Sequence, residues 1–115
     1  MVKNIIVGAH YGLKDWLAQR VTAVVMAAYT VLLAICVLSQ GALTHESWRA
    51  ILSGGFMRFA TFLFVLSLTY HAWVGVRDIW MDYIKPTGLR LTLHVATLLA
   101  LIGYAGWAVQ ILWRL

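Results

Sequence analysis

Charge is scarce in this 115-residue chain: 11% of its residues are Asp, Glu, Lys or Arg, while 63% are hydrophobic. A soluble domain carries about a quarter charged, and one this short leaves roughly 40% of its unfolded surface exposed after folding. It has nowhere in water to hide so much apolar side chain, so the solvent is a lipid bilayer. Cys36 is the sole cysteine, which excludes an internal disulfide and a metal held by thiolates alone. Set in the middle of an apolar run, it reads as a small buried residue. There are four acidic residues, Asp15, Glu46, Asp78 and Asp82, with no glycine-rich phosphate loop and no nucleophile–base pair. That leaves little for a self-contained enzyme and points to chemistry shared with other chains. The first apolar patch, Ile5 to Val7, is far shorter than the ~7 to 15 residues of a cleavable leader, so the mature chain is expected to begin at or near Met1.

What the sequence does have is three long uncharged windows. Crossing ~30 Å of hydrocarbon at 1.5 Å per residue takes about 20 apolar residues. Val21 to Leu38, Phe59 to Val76 and Leu91 to Trp113 are the runs of about that size. In lipid only helices or closed barrels satisfy their own backbone, and three continuous runs without strand alternation cannot form a barrel. The expectation is an all-α membrane protein, a single domain over 1–115 with helices at roughly 16–39, 56–83 and 88–114. The net charge of +5 is scattered between the apolar runs, as membrane flanks are and a nucleic-acid surface is not. Lys3, Lys14, Arg20, Arg77, Lys85 and Arg90 fall on one side against Arg49, Arg58 and Arg114 on the other. The excess marks the cytoplasmic side, so the N-terminus and the second loop are expected inside, with Leu115 outside. Trp16 and Trp80 then lie at the inner interface and Trp48 and Trp113 at the outer one, as an aromatic belt.

Local signals fill in the rest. Asp15 stands where an N-cap of the first helix is expected, favouring its positive dipole end. The loop from Ser39 to Gly55 reads as holding a short interfacial helix, begun by Thr44 as N-cap, with Glu46 in its first turn, and ended by Gly54 and Gly55. Pro86, with Gly88 close behind, breaks the chain between the second and third spans. Ala96, Ala100 and Gly103 form a small-residue stripe suited to close helix approach, read here as core packing.

The stretch richest in chemistry is HAWVGVRDIWMDYIKP, His71 to Pro86. His71 lies about 15 Å inside the second span if the inner end is near Met81, and an ionisable residue at such depth is a functional hypothesis. At 100° per residue, Phe64, Ser67, His71, Gly75, Asp78 and Asp82 share one helical face. Two readings stay open for His71. It is either hydrogen-bonded to a neighbouring helix, or an axial ligand for haem iron with Gly75 leaving room for the flat macrocycle. His94 sits only about 7 Å into the third span, too shallow to match, and reads as a satisfied interfacial histidine. His10 and His45 lie in polar flanks and carry no signal. Asp82 and Tyr83 at the inner interface suit hydrogen bonding and proton relay to a quinone carbonyl, or an aromatic-belt tyrosine beside a solvated acid. Arg20 suits a haem propionate or a positive-inside flank.

Taken together, His71, Ala72 and Gly75, then Asp82, Tyr83, Lys85 and Pro86, supported by Arg20 and Thr22, resemble the hydrophobic membrane anchors of bacterial succinate dehydrogenase, the smaller chains of the cytochrome b556 pair. The likeness covers nearly the whole chain. It is to the smaller anchor and not to the larger, because the Arg-Pro-x-Ser-Pro-His motif of the larger chains is missing. The resemblance implies a complex with a flavoprotein, an iron–sulfur protein and a second three-helix anchor, the larger cytochrome b556 chain, packed against this one around a shared haem b. His71 is then this chain's axial ligand to the iron, the other coming from the larger anchor. Tyr83 donates a hydrogen bond to ubiquinone near the last iron–sulfur cluster, Asp82 stands behind it, and Arg20 lies near the haem propionates. Lys14 replaces a histidine found in some relatives, so no propionate contact is assigned there. The resemblance also implies a bacterial inner-membrane location, with a periplasmic C-terminus. Two alternatives are the anchor of a quinol:fumarate reductase and a structural scaffold without cofactor.

Overall fold

In the computed structural model the backbone is described for residues 2–115 and the side chains for residues 12–115. Lys3, His10 and the patch from Ile5 to Val7 therefore lie outside the residues whose side chains are described. Four helices follow one another: α1 (Val2–Ser39), α2 (His45–Ser53), α3 (Gly55–Tyr83) and α4 (Thr87–Arg114). Three segments, Gly12–Ser39, Gly55–Tyr83 and Thr87–Arg114, are long and apolar enough to cross a membrane, at 28, 29 and 28 residues. Asp15 lies inside α1 and not at its N-cap, because the charges that interrupt the apolar run do not interrupt the helix. At the far end Gly41, with φ +79°, turns the chain out of the helix in a conformation that suits glycine.

The short α2 begins as expected at Thr44. Ser47 N–H donates to Thr44 Oγ1 at 3.1 Å, and Thr44 N–H donates to Ser47 Oγ at 2.9 Å, a reciprocal cap that satisfies two otherwise unpaired donors. Gly54 ends it, while Gly55 already opens α3. After Tyr83 the helix stops at Ile84, whose N–H donates to the Trp80 carbonyl at 3.1 Å. Pro86 then caps α4; its missing N–H costs nothing at a helix start. Inside the spans, threonine hydroxyls donate back to the carbonyl four residues earlier, as Thr30 does to Met26, Thr61 to Met57, Thr69 to Val65 and Thr97 to Leu93. In lipid this keeps each hydroxyl paired within its own helix.

α3 is the middle one of the three long helices. Among the described residues α3 packs on both α1 and α4, whereas α1 and α4 make no direct contact. The buried core is small: Tyr29, Ile51, Leu52, Met57, Val74 and Leu112. Its centre is a cluster of Tyr29, Ile51 and Met57 bordered by Cys36 and Phe64, where Tyr29 stacks on Phe64 with ring centroids 4.7 Å apart. On the other side Phe62 meets Trp113 edge-on at 5.6 Å. Large apolar side chains such as Leu38 (81% exposed) and Phe56 (72%) point away from the chain. Lipid or other protein chains must cover them. The stripe of Ala96, Ala100 and Gly103 is exposed too, so it does not pack this chain's own core, and a Cβ built at Gly103 meets nothing within 4 Å.

Candidate functional site between the first and third helices

Along α1, every seventh residue from Asp15 turns toward α3. Asp15 Oδ2 accepts from Arg77 Nη2 at 2.5 Å, Thr22 Oγ1 lies 3.0 Å from His71 Nδ1, and Tyr29 Oη lies 2.6 Å from Thr61 Oγ1. Cys36, the next in the series, borders the Tyr29 cluster. A seven-residue repeat is the period at which two helices keep one seam in contact with a left-handed crossing. Here the seam carries polar pairs, so α1 and α3 are held in one register by hydrogen bonds as well as by packing.

Part of the α3 face inferred from helical spacing meets α1, at Phe64 and His71. Phe64 stacks on Tyr29, His71 reaches Thr22, and Asp78 lines an open cleft of about 540 Å³ with Gly12, Asp15, Trp16, Gln19, Arg20, Ala23 and Val74. Arg20 lies over the ring of Trp16, 4.6 Å from its centroid, at the rim of this cleft. Arg77 is shared between Asp15 and Asp78, the latter at 3.6 Å. A Cβ built at Gly75 meets nothing within 4 Å, so the helix surface one turn from His71 is open.

The expected hydrogen bond from His71 to a neighbouring helix is present, yet it uses only Nδ1; among the described residues Nε2 has no partner. Hydrogen bonding and ligation are thus compatible at this ring. No three His, Cys, Asp or Glu side chains converge among the described residues. A metal at His71 has to bring most of its own ligands, as a macrocycle does, and the open backbone at Gly75 fits a flat group of that kind. His94 lies on the other side of α3, edge-on to Trp73 at 5.9 Å. Among the described residues its Nε2 is buried without a partner, unlike the satisfied histidine that its depth suggested. Trp80, expected at the inner interface as part of an aromatic belt, donates from Nε1 to Thr97 Oγ1 at 2.9 Å and ties α3 to α4.

Asp82 and Tyr83 stand apart from the cleft. Both are exposed at the last turn of α3, about 18 Å from His71 along the helix axis at 1.5 Å per residue. The sequence-derived residues thus fall into two groups, one of His71, Gly75 and Arg20 beside α1, the other of Asp82 and Tyr83 at the end of the helix. Sequence reasoning missed the pairing of Asp15 with Arg77 and the contact of Thr22 with His71. The heptad spacing of Asp15, Thr22 and Tyr29 was the signal that could have found them.

Comparison with known proteins agrees with this architecture. The family model for the succinate dehydrogenase/fumarate reductase transmembrane subunit matches residues 3–107. The succinate dehydrogenase hydrophobic membrane anchor subunit of Coxiella burnetii (strain RSA 493 / Nine Mile phase I) is 34% identical over 102 residues, covering 89% of this chain and 89% of that protein.

Proposed function

The chain belongs to the succinate dehydrogenase/fumarate reductase transmembrane subunit family, and from that premise we propose that it anchors a succinate:ubiquinone oxidoreductase, respiratory complex II. In this role it links the tricarboxylic acid cycle to electron transport, with the flavoprotein and the iron–sulfur protein docked on the cytoplasmic face of the inner membrane. A second anchor, the larger cytochrome b556 chain, packs beside it. The chain does no chemistry alone. His71 would hold a haem b shared with the second anchor, Arg20 would place a cation near its carboxylates, and Tyr83 with Asp82 would form part of the ubiquinone-reduction site.

The observation that carries this reading is the state of His71. An imidazole deep in a span, tethered through Nδ1 at 3.0 Å to Thr22, keeps Nε2 available beside the open backbone of Gly75. When bound, a haem supplies one-electron redox chemistry. This chain's own part is to hold the ligand and place a cation near the carboxylates. At the surface, Tyr83 donates its hydroxyl proton in a hydrogen bond to a quinone oxygen, and Asp82 stands next to it as a carboxylate able to pass protons from water.

The test is a reduced-minus-oxidised spectrum of the complex purified with both anchors. The expected result is a low-spin b-type spectrum that is lost or turned high-spin by His71→Leu and left unchanged by His94→Gln. An unaltered low-spin spectrum in His71→Leu overturns the ligand assignment, and no haem in the unmutated complex leaves a scaffold. Comparing rates of succinate oxidation and fumarate reduction in the same preparation separates this reading from a quinol:fumarate reductase.

A further inference from the structure

Resting on the reading of His71 as a haem ligand, we propose that Thr22 is the positioning residue that decides which nitrogen of that ring is free to bind iron. Thr22 Oγ1 lies 2.8 Å from the Ala18 carbonyl oxygen, 3.1 Å from that of Gln19 and 3.0 Å from His71 Nδ1. The two carbonyls only accept, and a hydroxyl has one proton to give. If that proton goes to a carbonyl, the oxygen's lone pairs accept from Nδ1–H and two hydrogen bonds form. If it goes instead to Nδ1, one bond forms, and the imidazole proton moves to Nε2, where it blocks ligation. In a span without bulk water to make up the missing bond, the two-bond arrangement prevails. The proton then sits on Nδ1, and Nε2 keeps its lone pair.

The same contact fixes the direction of the ring. Thr22 lies between Asp15 and Tyr29 in the heptad seam, so its position is held from one side by the Asp15–Arg77 pair and from the other by the Tyr29–Thr61 bond. The acceptor therefore stands on a helix that cannot rotate about its axis without breaking two other polar contacts. An acceptor on the distal N–H of a ligating imidazole also makes that ligand more basic. Greater basicity favours the ferric over the ferrous iron, so Thr22 lowers the haem potential as well as aiming its ligand.

The experiment uses the complex purified with all its subunits, carrying Thr22→Val, which removes the acceptor at nearly constant volume, or Thr22→Ser, which retains it. Redox titration followed at the haem absorption band and low-temperature EPR of the ferric haem are read on each. The expected result is a higher midpoint potential and shifted low-spin g-values in Thr22→Val, with Thr22→Ser at the values of the unmutated complex. If Thr22→Val does not assemble, Thr22→Ala carries the same expectation. A Thr22→Val complex with unchanged potential and g-values overturns the inference, as does a Thr22→Ser complex displaced as far as Thr22→Val. Low-spin haem in the unmutated complex combined with an inert Thr22→Val refutes Thr22 alone. A complex without haem, or one indifferent to His71→Leu, refutes the ligand reading and this inference with it.

Discussion

Replacing Tyr83 by phenylalanine isolates the proposed quinone contact from everything else the residue does. Tyr83 is the last residue of α3, 77% exposed, and among the described residues its hydroxyl makes no hydrogen bond within the chain. Removing that oxygen breaks no intramolecular contact and keeps the ring, so neither the fold nor the helix end should lose stability. What is lost is the bond to the quinone oxygen, about 0.5 to 1.5 kcal/mol for a neutral pair, or about 2- to 13-fold in rate if it is made mainly in the transition state. Negative charge developing on the quinone oxygen strengthens the bond and moves the effect to the upper end of that range. The assay pairs succinate:ubiquinone reductase activity with succinate oxidation by an artificial acceptor that takes electrons from the soluble subunits. The first is expected to fall several-fold while the second and the haem spectrum stay unchanged, since His71 is about 18 Å away along the helix. Equal losses in both assays would show an assembly defect, and no loss in either would return Tyr83 to the aromatic belt.

The polar seam predicts unequal costs for its pairs. Tyr29→Phe and Thr61→Val, which disrupt a 2.6 Å bond at a residue only 8% exposed, should each lower the thermal midpoint of the purified complex, with a double-mutant coupling of about 0.6 kcal/mol and no more than about 1.7; additive losses would deny the bond any net worth. Asp15→Ala should cost less than about 1 kcal/mol, because Asp15 is 40% exposed and Arg77 keeps Asp78 at 3.6 Å; a larger fall in the same midpoint would mean that the pair is shielded from water in the complex. For orientation, a reporter fused after Leu115 should be active only outside the cytoplasm, and cytoplasmic activity in the assembled complex would reverse the inside assignment and the quinone-site argument together.

The spans are legible in the sequence because run length against bilayer thickness is a coarse and strong constraint, and the cap at Thr44 because its chemistry is local. The extent of α1 is not. Lys14, Asp15 and Arg20 end the apolar window, but helical hydrogen bonding has no need of apolar side chains, so the helix continues through them. Asp15 misleads for the same reason: an acid beside a hydrophobic run resembles an N-cap until the helix that carries Arg77 is placed against it. The small residues at Ala96, Ala100 and Gly103 announce that a close approach is possible without saying which helix makes it, and among the described residues they stay exposed.

That last point bears on the cofactor. Among the described residues α3 contacts both α1 and α4, which make no direct contact with each other, and the polar partners of the His71 face come from α1. Within the chain, Thr22 Oγ1 lies 3.0 Å from His71 Nδ1. The open surface at Gly75 and the cleft rim at Arg20 still leave a flat ligand exposed on its other face. A haem held there by His71 would be exposed on that scale and would exchange with lipid and water. With His71 as its ligand, the second anchor would supply both the remaining protein ligand and the apolar cover. The chain expressed alone should then hold haem weakly.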